Sequence, residues 1–557
     1  MKYLTFAAIA LLCLFSFADA AVYEVKEGTA IDAIADVPWA TLQPGDTVLI
    51  HWRSTPYKEK WVICRQGTAQ APITVRGVPG PNGELPVIDG NGATTPNSLN
   101  FWSETRGTIK IGGANVPQDT MPRYIVIEYL EIRGAHPNYQ FTGRNGTIQT
   151  YSTSASPIFI EKGENITIRN NIITDGANGL FVASSDTDVS RDILVEGNYI
   201  HGNGVSGSIF QHNNYTAAIG ITFQFNRFGP LRSGAPGVNL KDRSAGLVVR
   251  FNWIEGGNRN IDMVDGEDSS QIRNAAEYRK TFVYGNVLIK QDGGNNQAVH
   301  YGGDSGNTPN YRKGTLYFYN NTLYSIRAGT SVVMRLSTNE EAADARNNIF
   351  FNTAAGTSLA MLAEAGQLTL ANNWAKIGWR NSHEGGGFTG TVTGGSTILA
   401  GTSPGFVDAA TQDFKLTSTA AARDAGTSLH PDASSYSVAR QYIRHQTSEA
   451  RPTSGVIDLG AYEFAAAAPV QITTSSVPNS VLFRWYQQTL QAAGGSGGIT
   501  WSVTSGGLPP GVKLDTSTGR LHGRPRRKGN WTFTVEARDQ QNTTATQQFT
   551  VATRLHL

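Results

Sequence analysis

Asn170-Asn171-Ile172-Ile173, Gly197-Asn198-Tyr199-Ile200, Phe225-Asn226-Arg227-Phe228, Phe251-Asn252-Trp253-Ile254, Gly285-Asn286-Val287-Leu288, Asn320-Asn321-Thr322-Leu323, Asn347-Asn348-Ile349-Phe350 and Asn372-Asn373-Trp374 are one phrase repeated with changing words. The second position is always Asn. From one such Asn to the next the steps are about 25–28 residues, with two longer ones near 35. A period of roughly 20–50 residues marks a solenoid or a propeller, in which each repeat buries its apolar face against its neighbours.

The flanks of the phrase decide between these. Short alternating runs precede it, among them Ile166-Thr167-Ile168, Ile193-Leu194-Val195, Leu247-Val248-Val249 and Leu316-Tyr317-Phe318. Their period and β-branched content predict strands. No helical pattern separates them, and a propeller blade needs about 40 residues or more. Three short strands per step fit, so the expected fold is all-β, a right-handed parallel β-helix. The recurring Asn is expected at a sharp corner, where it tolerates left-handed backbone and where stacked amides bond from coil to coil. These asparagines are structural rather than site residues.

Only 16% of the residues are charged, and 46 Lys and Arg against 44 Asp and Glu leave a net charge of +2. That balance gives no sign of a nucleic-acid partner. Residues 1–20 have the form of a secretory signal peptide: Lys2, an apolar run from Leu4 to Phe17, and Ala18-Asp19-Ala20 at the cleavage site. A secreted, extracellular or periplasmic protein without a membrane span is therefore expected, and it is expected to be a monomer. Once the leader is removed, Cys64 is the only cysteine, so no intramolecular disulfide can form.

The opening coils read Gly45-Asp46-Thr47-Val48-Leu49-Ile50, Pro72-Ile73-Thr74-Val75-Arg76-Gly77 and Pro86-Val87-Ile88-Asp89-Gly90. This succession resembles secreted β-helix polysaccharide lyases of the chondroitinase B and alginate lyase type. The β-helix domain is expected over 21–464. Its last part, with Ser403-Pro404-Gly405-Phe406 and Gly455-Val456-Ile457-Asp458-Leu459-Gly460, is expected to cap the open end of the last coil. Residues 465–469 read as a linker. Beyond it, Tyr486-Gln487-Gln488-Thr489-Leu490, Trp501-Ser502-Val503, Gly507-Leu508-Pro509-Pro510-Gly511 and Trp531-Thr532-Phe533-Thr534-Val535 resemble the immunoglobulin-like domains appended to bacterial surface and secreted proteins. Alternating strands with turn signals independently predict a small β-sandwich over 470–557.

In a β-strand alternate side chains point into the core or out of it. Aligning the strand that follows each marker sends His212, Lys241, Asp262, His300 and Arg335 outward on successive coils. The densest ionisable cluster is Asn239-Leu240-Lys241-Asp242-Arg243 with Arg259, Asp262, Asp265, Glu267 and Asp268. A uronate lyase must neutralise the sugar carboxylate, remove the C5 proton and protonate the leaving oxygen. Lys241 is the expected base. Arg243 and His212 are expected as acid or charge stabilisers, with Asn239, Arg259, Asp262, His300 and Arg335 binding substrate. A Ca²⁺ ion at Asp265, Glu267 and Asp268 is a further expectation.

The resemblance implies the same role for Lys241, which falls where these lyases carry their basic Lys. Where they pair a catalytic Arg with His and Gly, this chain has Val264-Asp265-Gly266, leaving Arg243 or Arg259 as substitutes. The expected function is therefore β-elimination on an acidic polysaccharide. Two alternatives stay open: a non-catalytic polysaccharide-binding adhesin, and a glycoside hydrolase using a pair drawn from Asp262, Asp265 and Asp268.

Overall fold

The computed structural model describes residues 20–353, 359–453, 455–466, 468–495, 497–540 and 542–556. Residues 1–19 of the expected leader lie outside that set. The chain divides into two compact units, 1–464 and 465–557.

The first unit is a parallel β-helix. Three parallel sheets of thirteen, eleven and ten strands run side by side, and neighbours within a sheet are the corresponding strands of successive coils. The register stacks like on like: Ile125, Ile166, Ile193, Ile221 and Leu247 form one inward column of the first sheet. These residues are buried, so the hydrophobic core is a set of aliphatic columns running the length of the helix. The only α-helix among the described residues, α1 (Ser270–Asn274), is an insertion on one coil.

The eight marker asparagines form a continuous internal ladder. From Asn171 to Asn373, each side-chain amide donates to the Oδ1 of the next at 2.9–3.2 Å. That Oδ1 also receives the backbone N–H of the preceding marker, at 2.9–3.0 Å. The buried amides of the ladder are thus paired, without which burial would cost about 1–3 kcal/mol per group. The left-handed corner lies one residue earlier than the marker, at Asn170, Gly197, Phe225, Phe251, Gly285, Asn320, Asn347 and Asn372, with φ between 46 and 66°. The marker supplies the amide and its predecessor turns the chain.

The segment expected to cap the last coil does something else: it runs back along the outside. Phe414, Tyr442, Ala461 and Tyr462 pack on Trp253, Val287, Ile289 and Tyr324. Farther along, Gln446 donates to the Gly197 carbonyl at 3.0 Å. The physical reason is that these coils turn apolar side chains outward, and such a surface needs cover.

The second unit is a two-sheet sandwich. Ser480–Val481, Thr544–Arg554, Gly529–Arg538 and Thr500–Gly506 form one sheet; Tyr486–Thr489, Arg520–Gly523 and Val512–Leu514 form the other. Trp501, Leu521, Phe533, Val535, Phe549 and Val551 fill the space between them. This is the arrangement that its alternating pattern predicts.

Candidate functional site

The ten-stranded sheet carries the site. Eight of its strands are β1 (Gly107–Ile111), β2 (Ser156–Ile160), β3 (Leu180–Val182), β4 (Asn214–Thr216), β5 (Leu240–Asp242), β6 (Ile261–Met263), β7 (Gln297–Tyr301) and β8 (Ser331–Leu336). Their register puts Lys110, Phe159, Phe181, Tyr215, Lys241, Asp262, His300 and Arg335 in one outward column, one residue per coil. Neighbouring strands stand about 4.8 Å apart, so residues distant in sequence are adjacent in space. The column is aromatic at one end and charged at the other.

The two ends meet at Tyr215 and Lys241. Phe159, Phe181 and Tyr215 stack in turn, with ring centroids 5.2 and 4.9 Å apart. Arg106 lies over the first two rings at 4.5 and 4.9 Å. On the other side, Lys241 Nζ pairs with Asp262 Oδ2 at 3.3 Å and with Asp304 Oδ2. Arg243 is held on every side. Its Nε donates to Tyr215 Oη at 2.6 Å and its Nη1 to the Asp265 carbonyl at 2.7 Å. Its Nη2 meets Glu267 at 2.8 Å and Asp304 at 3.0 Å. Around these groups is a cavity of about 450 Å³, lined also by Asn178, Ile209, Phe210, Gln211, His212 and Ser305. An adjoining one of about 380 Å³ shares Phe181 and Tyr215 and adds Arg106 and Asp268. A further cavity of about 320 Å³ lies on the segment that runs back along the outside, lined by Phe414, Tyr442, Arg444 and Tyr462. It lacks a comparable gathering of acids and bases.

Protonation states follow from these contacts. Burial alone would lower the Lys241 ammonium, but the carboxylates of Asp262 and Asp304 outweigh it and raise its pKa. Lys241 is therefore a fixed cation, which corrects its expected role as base. Burial would raise Asp262; Lys241 and His300 outweigh it and hold the carboxyl well below the usual range. Asp304 is lowered in the same way, against burial, by Lys241 and Arg243. Glu267 moves oppositely: partial burial and its neighbours Asp268, Asp265 and Asp304 push it up, against the pull of Arg243.

His212 is not on the column, where Tyr215 takes its place. It sits at the corner entering β4, its ring stacked 5.9 Å from Tyr215. Its Nδ1 accepts the Val238 N–H at 3.0 Å, and burial followed by the Lys241 charge lowers its pKa to about 3. It is a neutral imidazole with Nε2–H as the donor, neither an acid nor a charge stabiliser.

Asn239 is a second correction. It is fully buried, accepts from Asn213 at 2.6 Å and donates to the carbonyls of Glu255 and Gly256 at 2.8 and 2.9 Å. With Asn203 and Asn213 it builds a shorter amide stack at another corner, so it holds the backbone and offers substrate nothing.

The residues expected to bind Ca²⁺ do not converge either. Asp265 accepts the backbone N–H groups of Asp304 and Ser305, Glu267 pairs with Arg243, and Asp268 is exposed. Among the described residues no group of three or more His, Cys, Asp and Glu is arranged to hold a metal ion. Carboxylates so engaged do not fit Ca²⁺, whose coordination needs six to eight oxygens.

Beyond Lys241 the column continues as a relay. Asp262 Oδ1 meets His300 Nδ1 at 2.6 Å, and His300 Nε2 meets Ser337 Oγ at 2.9 Å. Ser337 also accepts the Gly303 N–H and faces the Gly303 carbonyl, both at 2.9 Å. Its hydroxyl therefore clamps the loop that delivers Asp304. Arg259 Nη1 reaches Asp262 Oδ1 at 3.4 Å, and Arg335 has only a loose contact with Glu364 at 3.9 Å.

Sequence reasoning missed Asp304, Tyr215, Phe181 and Ser337. Phe181 is legible from its alternation with Leu180 and Val182, whereas Tyr215 is displaced by the register that sends His212 outward. Asp304 and Ser337 lie past strand ends, where no periodicity applies.

Residues 465–554 match the family model described as "Putative Ig domain". The C-terminal sandwich is an Ig-like domain. No curated protein matches the chain. Among solved structures, the GH136 lacto-N-biosidase from Eubacterium ramulus is 13% identical over 68% of this chain and 67% of its own, with a TM-score of 0.32. The DFA-IIIase from Arthrobacter chlorophenolicus A6, without its lid, is 12% identical over 69% of this chain and 95% of its own, with a TM-score of 0.35. A "putative alpha-galactosidase" from Bacteroides fragilis NCTC 9343 is 22% identical, but the match spans only 15% of this chain and 18% of that one, with a TM-score of 0.14. Scores this low carry no argument about activity. The β-helix rests on the parallel ladders themselves.

Proposed function

We propose that the protein is a secreted enzyme that cleaves an acidic polysaccharide in the groove between Phe181 and Asp304, by carboxylate acid–base chemistry. The observation that carries this reading is that Glu267 and Asp304 both contact Arg243 Nη2 in the groove, at 2.8 and 3.0 Å. Their two oxygens therefore stand less than about 6 Å apart, nearer the roughly 5–5.5 Å of retaining glycosidases than the roughly 6.5–9.5 Å that leaves room for an attacking water.

The roles follow from their surroundings. Glu267, raised, is the general acid that protonates the glycosidic oxygen. Asp304, lowered, is the ionised partner that attacks or stabilises the sugar cation. Phe181 and Tyr215, whose faces are taken up by the stack, present apolar ring edges to the groove, and His212 Nε2–H is a fixed donor for a hydroxyl. Arg106 makes no ion pair among the described residues, and its charge favours a uronate over a neutral sugar.

β-Elimination remains a second reading for one reason: the Tyr215 phenol is bonded to a fixed guanidinium, as a proton-transferring group in a lyase would be. The test uses purified protein and a panel of uronate and neutral glycans. Hydrolysis yields new reducing ends without ultraviolet-absorbing product, elimination yields both, and a binding protein yields neither. Loss of reducing ends in both Glu267→Gln and Asp304→Asn is the expected result. Undiminished turnover in either variant overturns the assignment.

A further inference from the structure

The Ig-like domain carries nine Lys and Arg against three Asp and Glu over 465–557, or +6, within a chain whose net charge is +2. Six of the nine basic residues lie on neighbouring backbone segments. The segment Leu482–Trp485 lies against the basic turn that begins at Arg524: Leu482 donates to the Arg554 carbonyl and Phe483 to that of Pro525, both at 2.9 Å. Tyr486 is in register with Gly523, and the Trp485 ring stands 6.1 Å from His522. Arg484, Arg524, Arg526, Arg527, Lys528 and Arg554 thus sit on backbone segments adjoining the two aromatics, and all six are exposed. Among the described residues none of the six has an ion pair, whereas Arg538 of the same domain pairs with Glu536.

The aromatics do not behave as core residues. Phe483 is 64% exposed and Trp485 59%, while their neighbour Tyr486 is buried in the sandwich. Phe483 also holds a left-handed backbone, φ 61°, where a bulky residue is strained and a glycine would not be. A strained, exposed Phe beside an exposed Trp is costly for solubility and gives the fold nothing. Their apolar faces suit stacking on sugar rings, and the neighbouring cations repel a basic partner and attract an anionic one.

We infer that this face, formed by Phe483, Trp485 and the flanking Arg484, Arg524, Arg526 and Arg527, is a binding site for an anionic polysaccharide, separate from the groove of the β-helix. Sugar rings stack on the two aromatics while their carboxylate or sulfate groups meet guanidinium groups that no protein carboxylate already occupies. This assignment does not depend on the groove being catalytic.

The experiment is affinity electrophoresis of the full-length protein in gels containing polygalacturonate or neutral dextran. Polygalacturonate is expected to retard the wild type, and dextran is not. Phe483→Ala/Trp485→Ala and Arg526→Glu/Arg527→Glu should each weaken retardation about tenfold or more, with unchanged thermal unfolding because all four residues are exposed. Rising salt should weaken wild-type binding, since exposed charges are screened. Reducing-end release from a short uronate oligosaccharide tests the groove by itself, whereas loss of retardation in the aromatic double variant tests this face, so failure of the groove reading and failure of this one are distinguishable. The inference is overturned if polygalacturonate does not retard the wild type, or if the aromatic double variant binds as tightly as the wild type. It is equally overturned if duplex DNA or anionic phosphatidylglycerol vesicles bind this face as well as polygalacturonate does.

Discussion

Glu267 and Asp304 are joined through a single nitrogen, Arg243 Nη2, yet their carboxyl groups are displaced in opposite directions. The difference lies in their second neighbours. Asp304 also meets Lys241, whereas Glu267 is crowded by Asp265 and Asp268. Two carboxyl groups of the same kind are thus prepared for different work.

The pH profile of turnover should reflect this. In the proposed mechanism Asp304 acts ionised and Glu267 protonated. Turnover should therefore fall on the acid side through a pKa below the ordinary carboxylate value and on the alkaline side through one above it, giving an acidic optimum. Glu267→Gln should remove the alkaline limb and lower kcat by about 10²–10⁴-fold. Measuring kcat against pH for both proteins checks this.

Lys241 should prove structural before it proves catalytic. Lys241→Ala leaves Asp262 and Asp304 without their shared cation, and breaking a buried pair in this way costs about 3–5 kcal/mol. Lys241→Arg, which keeps the charge, should recover part of the loss. Urea unfolding at pH 7 measures both.

Acid should destabilise the β-helix early. The folded-state pKa of Asp262 is depressed, so its contribution is present above the unfolded value of about 3.9 and is lost as pH falls through the folded one. His212 adds to the same trend. Its folded pKa of about 3 lies below the unfolded value of about 6.5, so below pH 6.5 the unfolded chain takes up the proton that the folded one refuses. Thermal unfolding between pH 3 and 7 should show the wild type losing Tm more steeply than His212→Gln across the upper part of that range.

Asn226 tests the ladder. Asn226→Ala removes the acceptor used by Asn198 and the donor that reaches Asn252, leaving buried amide groups unpaired at about 1–3 kcal/mol each. Asn170→Gly, one residue before a marker and already at φ 56°, should by contrast be nearly neutral. Chemical denaturation of the two variants compares the roles directly.

How far the sequence could be read depended on periodicity. The coil step, the three strands per coil and the outward positions of Lys241, Asp262, His300 and Arg335 all follow from alternation within strands, which is rigid. The reasoning failed where the chain leaves a strand. Counting back across the corner before β4 put His212 on the column in place of Tyr215, and counting across the next corner turned Asn239 outward when its amide folds in. Asp304 belongs to a loop past a strand end, and those loops differ in length from coil to coil, so nothing in the spacing pointed to it. Its importance comes from ion pairs that only the folded chain creates.

Because each marker amide makes the same bonds to its neighbouring coils, a whole coil is an exchangeable part. Excising one from Asn226 through Phe251 would let Asn198 reach Asn252 and close the ladder behind the cut. Tyr215 would then stand beside Asp262, with Lys241 and Arg243 gone. In such a protein gain or loss of some 26 residues rewrites the groove by one position while the ladder closes again, and the segment packed along the outside must shift by one coil to follow.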